Sequence, residues 1–260
     1  MGLVVLLTFS IVPLCQTPSL GAGAIVNGAS FASAGAANGA LSPGAIVSAF
    51  GQNLATQTQS ALSVPLSTQM NGSSLTFFVG STAFPAPLFF VSAGQINAQL
   101  PFNVPTGNVT AQATLNGQTS QQQTFSVVAA APGIFFNTDS SGVNRGAVLN
   151  QNFSANGPSN PEVRGNVLQI FCTGLGGTTP VAQAGAPGNS SPPFNNTNLV
   201  PSVTIGGQAA GVQFSALAPG FVGLYQVNAQ INASTPTGTA VPMVMTINGV
   251  NSNTVMVSIQ

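Results

Sequence analysis

The side chains of this chain that could carry acid–base, nucleophilic or metal chemistry are few enough to name. The charged residues are Asp139, Arg145, Glu162 and Arg164, with a formal net charge of zero. The thiols are Cys15 and Cys172, the single tyrosine is Tyr225, and His, Lys and Trp are absent. Without His or Lys, general acid–base and nucleophilic catalysis lose their usual groups, and neither a Ser–His nor a Cys–His pair can form. Two cysteines without histidine fall short of a structural zinc set. The remaining catalytic option is a pair of carboxylates of the glycosidase kind, which would have to be Asp139 and Glu162. Both lie in a stretch that also holds Arg145 and Arg164, so the four residues read as a candidate linker ion-pair cluster. Gly174–Gly177, "GLGG", lacks the Lys of a phosphate-binding loop. Two arginines do not make the basic patch that nucleic acid requires. The chain therefore reads as a non-enzyme, with no catalytic residue, no cofactor and no metal.

The composition points the same way. Hydrophobic residues make up 44% and charged residues 2% of 260 residues, where about 25% charged is usual. Past residue 14 no apolar run approaches the ~18–20 residues of a membrane-spanning helix. The polar remainder is Asn, Gln, Ser, Thr and Gly. A disordered chain would need high charge and few β-branched or aromatic residues.

The elements that position these residues are announced by a repeat. "GQINAQLPFNVPTGNVTAQATLNGQ" from Gly94 returns as "YQVNAQINASTPTGTAVPMVMTINGV" from Tyr225. Gln95 and Gln226, Pro105 and Pro236, and Gly107 and Gly238 are each 131 apart. Upstream, "GAIVSAFGQNL" from Gly44 resembles "GNVLQIFCTGL" from Gly165, 121 further on. Two tandem copies of one domain explain the conserved order. Within each copy, short runs rich in Val, Phe, Thr and Ile are bounded by Gly, Pro and Asn, and Asn-Gly at 116–117 and 248–249 marks hairpins. Alternation places Ile96, Ala98, Leu100, Val227, Ala229 and Ile231 on one face. Gln95, Asn97 and Gln99 take the other.

The expected fold is all-β: two tandem immunoglobulin-like β-sandwich domains, 24–128 and 165–260, joined by a structured linker at 129–164 with a short hairpin. Residues 1–23 read as a signal peptide or a retained N-terminal strand. The apolar stretch Leu3–Leu14 is too short to span, and Ala22-Gly23-Ala24 has the form of a cleavage site, although no Lys or Arg precedes the apolar core. Retained, the segment offers Val4, Val5, Thr8, Ile11 and Val12 as a candidate self-association strand. Cys172 lies in an apolar strand and reads as a buried thiol; a bridge to Cys15 requires a retained leader. Six N-x-[ST] sequons, at Asn71, Asn108, Asn152, Asn189, Asn195 and Asn232, read as coincidence in a chain so rich in these residues.

The motifs "VNGASFASAG", "LSPGAIVSAFGQNLA", "APLFFVSAGQINAQLP", "APGIF", "GAVLNQ", "NPEVRGNVLQIFCTGLG" and "YQVNAQI" together resemble a secreted acidobacterial module catalogued as the Solibacter uncharacterised C-terminal domain family. The resemblance covers about residues 24–260. It implies an extracellular, Ig-like or TIG-like double sandwich with no assigned catalytic activity, so it transfers no functional residue. The family usually sits at the C-terminus of larger proteins. Here only the leader precedes it, which favours an independent role.

The missing charge carries the functional expectation. Soluble β-proteins protect exposed strand edges with Lys, inward charges or Pro, and a net charge near zero promotes association. The chain reads as a secreted or cell-surface structural protein that self-associates through strand edges into a filament, sheath or surface layer, its partner being itself. The alternative is an adhesive or carbohydrate-binding module with a surface polysaccharide as partner. Sugar stacking would have to use Tyr225 and the phenylalanines.

Overall fold

A computed structural model describes residues 17–260, so the candidate strand residues Val4, Val5, Thr8, Ile11 and Val12 and the thiol of Cys15 lie outside the described residues. Among the described residues every regular element is a β-strand. The chain folds as two immunoglobulin-like β-sandwiches in tandem, each with its own core. The first core draws on residues from Leu20 to Val127, the second on residues from Ala130 to Ile259.

In the first sandwich one sheet is centred on the strands Ile46–Gln52 and Gln95–Gln99, flanked by Ser19–Asn27 and Leu88–Val91. The facing sheet runs Gln123–Val127, Gly107–Leu115, Ser73–Val79, Thr82–Pro85. The second sandwich repeats this plan in the same register. Ile46 pairs with Gln99 and Phe50 with Gln95; 121 and 131 residues later, Val167 pairs with Gln230 and Phe171 with Gln226. Leu75 pairs with Ala113, and Val203 with Met245. Even an irregularity is shared: the register shifts between Leu88 and Phe90 opposite Ala98 and Asn97, and again between Val212 and Phe214 opposite Ala229 and Asn228. Such a bulge re-aims the side chain that follows it. The hairpins close on Asn116-Gly117 (φ 49° and 84°) and Asn248-Gly249 (φ 49° and 77°), the doubly left-handed turn that matches strand twist.

The copies differ where proline intervenes. Pro85-Ala86-Pro87 separates Thr82–Pro85 from Leu88–Val91, so the first sandwich has two distinct sheets. The second lacks those prolines. Its strand Gln208–Leu217 runs unbroken, pairing through Gln208–Ala210 with Ser202–Ile205 and through Gly211–Leu217 with Tyr225–Gln230. The segment 129–164 supplies Ala130, Ile134 and Val148 to the second core. It also forms the hairpin Phe136–Thr138/Asn144–Gly146.

The two sandwiches are joined by hydrogen bonds between buried groups. Gln99 is fully buried; its Oε1 accepts from Gly185 N at 2.7 Å and its Nε2 donates to Gly44 O at 3.4 Å. Ile46 N donates to Thr173 Oγ1 at 2.8 Å, and that hydroxyl donates to Gly223 O at 2.7 Å. Asn27 Nδ2 donates to Ala131 O at 3.2 Å. Phe102 of the first copy packs against the second core. Gly44, with φ 81°, lies so close to the Phe102 ring and the Tyr225 hydroxyl that a Cβ there would clash with both.

The alternating residues lie as their spacing predicts. Ile96, Ala98, Leu100, Val227 and Ala229 are 0% exposed and Ile231 is 1% exposed. Ile96→Asp and Val227→Asp should each cost roughly 3–5 kcal/mol by burying an unpaired charge, read as a lowered urea midpoint. Gln95→Asp, on the outward face of the same strand, should change the midpoint little.

Candidate functional site

Of the four charges, the structure brings Asp139 and Arg145 together and sends the other two elsewhere. Arg145 Nε donates to Asp139 Oδ2 at 2.8 Å, within the hairpin Phe136–Thr138/Asn144–Gly146. Asp139 Oδ1 closes the turn, accepting from Ser141 N at 2.9 Å, Ser141 Oγ at 2.6 Å and Val143 N at 3.0 Å. The Ser141 hydroxyl first, and the Arg145 guanidinium second, hold its carboxyl well below the usual carboxylate range. Arg145 also donates through Nη1 to Thr239 O, and its backbone bridges in parallel to Met256. The ion pair therefore fastens the hairpin over the outer edge of the strand Val255–Ile259.

Glu162 is 6% exposed yet meets no arginine. Its carboxylate accepts from Gln151 N at 2.6 Å, Val163 N at 2.9 Å and Asn166 Nδ2 at 2.9 Å. Its place in the repeat explains its burial: Glu162 N bonds Ser258 O as Leu41 N bonds Ser126 O, so Glu162 occupies the slot of a fully buried leucine. Arg164 Nη1 donates to Ala233 O at 3.3 Å and Thr235 O at 3.4 Å. The two carboxylates are thus engaged separately, one in a turn and one in a cage of amide donors. Among the described residues no three His, Cys, Asp or Glu side chains lie close enough together to hold a metal ion.

Tyr225 and Cys172 are core residues. Tyr225 is 0% exposed and its hydroxyl donates to Gly176 O at 2.5 Å. Burial pushes the Cys172 thiol up; burial and then the adjoining Cys172 do the same to Tyr225. Tyr225 is thus unavailable for stacking, contrary to its place in the sugar-binding alternative.

Some phenylalanines are accessible, and sequence reasoning missed how regularly they are placed. Phe31 and Phe153 are 51% and 74% exposed, and both have left-handed backbones, at φ 52° and 67°. That conformation is uncommon for a bulky residue; the Phe31 ring lies 6.4 Å from that of Phe50, tilted by 41°. Each follows a buried asparagine whose carbonyl accepts its N–H: Asn27 for Phe31, Asn150 for Phe153. The signal is present in the sequence as "NGASF" and "NQNF".

A second set lies on the outward side of each central sheet. Phe50 sits opposite Gln95 and Phe90 opposite Asn97; in the second copy Phe171 sits opposite Gln226 and Phe214 opposite Asn228. All eight are partly exposed, and the four rings belong to neither core. Gln95 Nε2 donates to Asn97 Oδ1 at 2.7 Å, and Gln226 Nε2 to Asn228 Oδ1 at 2.8 Å.

No protein-family model matches the chain, and no curated protein matches it. Among solved structures it is similar, at 9% identity, to the plexin A4 extracellular region (TM-score 0.26), over 94% of this chain and 18% of that one. It is also similar to titin Ig tandem domains at 9% identity (TM-score 0.21), over 85% of this chain and 90% of that one. Domains 5–6 of the S-layer protein SbsC match at 12% identity (TM-score 0.24), over 93% and 98%. With scores this low, the fold rests on the sheets and cores described above.

The titrations have a definite sign. Asp139 ionises more easily when folded, so its contribution is present above the ordinary range near ~3.9 and is lost as pH falls below it. Cys172 and Tyr225 resist ionisation when folded. Their contribution is full below ~8.5 and ~10 and is lost as pH rises past each value. Stability measured by urea unfolding should be level from about pH 5 to 8 and fall above about 8.5. Cys172→Ala should move the alkaline onset towards the tyrosine range.

Proposed function

We propose that this chain is a non-enzymatic, extracellular structural protein of the cell surface that associates with copies of itself through an open strand edge of its first sandwich. The observation that carries this reading is a difference between equivalent edges. In the second sandwich, Val255–Ile259 carries the hairpin and its Asp139–Arg145 pair on its outer side. The equivalent strand Gln123–Val127 has only the bridge of Val127 to Leu41 on that side among the described residues, and Ser19–Asn27 packs near it without entering its ladder. Ser126 O and Val128 N point outward to Leu41. By alternation the N–H and C=O of Thr124 project the same way, where no strand among the described residues meets them. No Lys or other charge guards this edge, which is the usual defence against edge-to-edge pairing. An incoming strand would gain main-chain hydrogen bonds there.

The secreted setting is supported by the N-terminal apolar segment, the near-absence of charge and the motifs resembling the Solibacter C-terminal domain family. The candidate donor residues Val4, Val5, Thr8, Ile11 and Val12 stay available to the proposal if the leader is retained. Sedimentation of the full chain over a hundredfold concentration range should show growing assemblies. Thr124→Lys places a charge on this edge through an exposed side chain; it should leave the unfolding free energy within about 0.5 kcal/mol and abolish most of the large species. A wild-type monomer throughout, or assembly indifferent to Thr124→Lys, contradicts the reading.

A further inference from the structure

The outward faces of the two central sheets remain without a role in self-association through the Gln123–Val127 edge. They share their register, their Phe, Gln and Asn set and the Gln-to-Asn hydrogen bond, although the neighbouring Ser48 and Gln169 differ. On each face one Gln–Asn pair lies two residues apart on a strand, with a phenylalanine opposite each member. Asn97 Oδ1 is occupied, accepting from Gln95 Nε2 at 2.7 Å and from Ser48 Oγ at 2.9 Å. In the second copy Gln226 Nε2 donates to Asn228 Oδ1 at 2.8 Å and to Gln169 Oε1 at 3.4 Å. Among the described residues, this leaves the same two groups unengaged in both copies: the Gln carbonyl (Gln95, Gln226) and the Asn amide N–H groups (Asn97, Asn228). Each face thus presents one fixed acceptor beside one fixed donor, between two partly exposed aromatic rings.

We infer that these two faces bind a neutral polysaccharide, one stretch of pyranose residues per copy. A sugar ring has an apolar side of C–H bonds, slightly positive, which suits the negative face of an aromatic ring. Its rim of hydroxyls each donates and accepts, which suits an acceptor and a donor already oriented by their own hydrogen bond. Nothing charged lies among Phe50, Phe90, Gln95, Asn97 or their counterparts, so no uronate, phosphate or sulfate group would find a counter-charge; the complementary partner is uncharged. Beside Phe214 the surface dips into a depression of about 270 Å³ lined by Asn196, Thr197, Val200 and Gln213 among others, which gives the second face room for substituents.

The test is retention of the folded full chain on cellulose, chitin and starch, with alginate as the polyanionic control, at a concentration where sedimentation shows a monomer so that self-association does not contribute. The expected result is retention on one of the neutral polymers, unchanged by added salt because no charge is involved. The double change Phe50→Ala with Phe171→Ala should weaken apparent affinity about tenfold or more, and Phe50→Tyr with Phe171→Tyr should restore most of it. Should the alanine pair unfold, Gln95→Leu with Gln226→Leu serves instead, removing the unengaged acceptor from each exposed face. Absence of retention on all three neutral polymers, retention on alginate alone, or binding that survives both double changes overturns the inference. So does a change of oligomer mass in the Phe variants without polysaccharide retention, which would make these faces self-docking surfaces. Failure of polysaccharide binding leaves edge-mediated assembly standing, and the reverse also holds.

Discussion

The structure depends on one antiparallel pairing, made twice. Ile46–Gln52 lies against Gln95–Gln99, and Val167–Thr173 against Tyr225–Gln230, in the same register. The strand period of two does the rest. With Ile96 and Ala98, or Val227 and Ala229, directed into a core, the amides between them must face out. A slip of one residue would bury Gln95 and Asn97 and expose the isoleucine, so the core fixes the outer face as firmly as it fixes itself. The shared bulge opposite Asn97 and Asn228 then brings Phe90 and Phe214 alongside the amides. Packing and the candidate ligand surface are two sides of one constraint.

The junction shows what happens when the same phrase is put to different use. Gln99 and Gln230 occupy equivalent positions, yet Gln99 is fully buried between the sandwiches while Gln230 is exposed. Its amide is satisfied there by Gly185 and Gly44, which keeps a buried polar group from costing stability. The neighbouring positions have diverged accordingly. Pro101 and Phe102, at the junction in the first copy, become Asn232 and Ala233 in the second, where Arg164 covers the Ala233 and Thr235 carbonyls. The far end of the second sandwich is thus polar and not a copy of the surface that holds the two sandwiches together.

How much of this could be read from the sequence follows from what sequence encodes. Offsets of 121 and 131 located the paired strands, because pairing register and alternation are written in residue type. The Asn-Gly hairpins were legible because few other dipeptides suit that turn. The burial of Gln99 was not, since nothing in "INAQL" distinguishes it from "VNAQI"; the difference lies in a loop, around Gly185, that arrives from far along the chain. Nor could the left-handed backbones of Phe31 and Phe153 be foreseen, because Phe has no preference for that conformation and is held there by a turn around asparagine. The four charges were expected to meet; instead Glu162 fills a leucine's slot, a consequence of the repeat that only alignment through the structure exposes.

Charge economy ties these features together. Asp139 and Arg145 are spent closing one sheet edge, and Glu162 and Arg164 are absorbed by local hydrogen bonds, so none remains to guard Gln123–Val127. The most direct measurement is the amide hydrogen exchange of Thr124 at the outer edge, followed by NMR in dilute and in concentrated solutions of the full chain. The account predicts rapid exchange in the dilute monomer and strong protection on assembly, with the core amide of Val227 protected in both. Assembly that leaves Thr124 exchanging freely would contradict it.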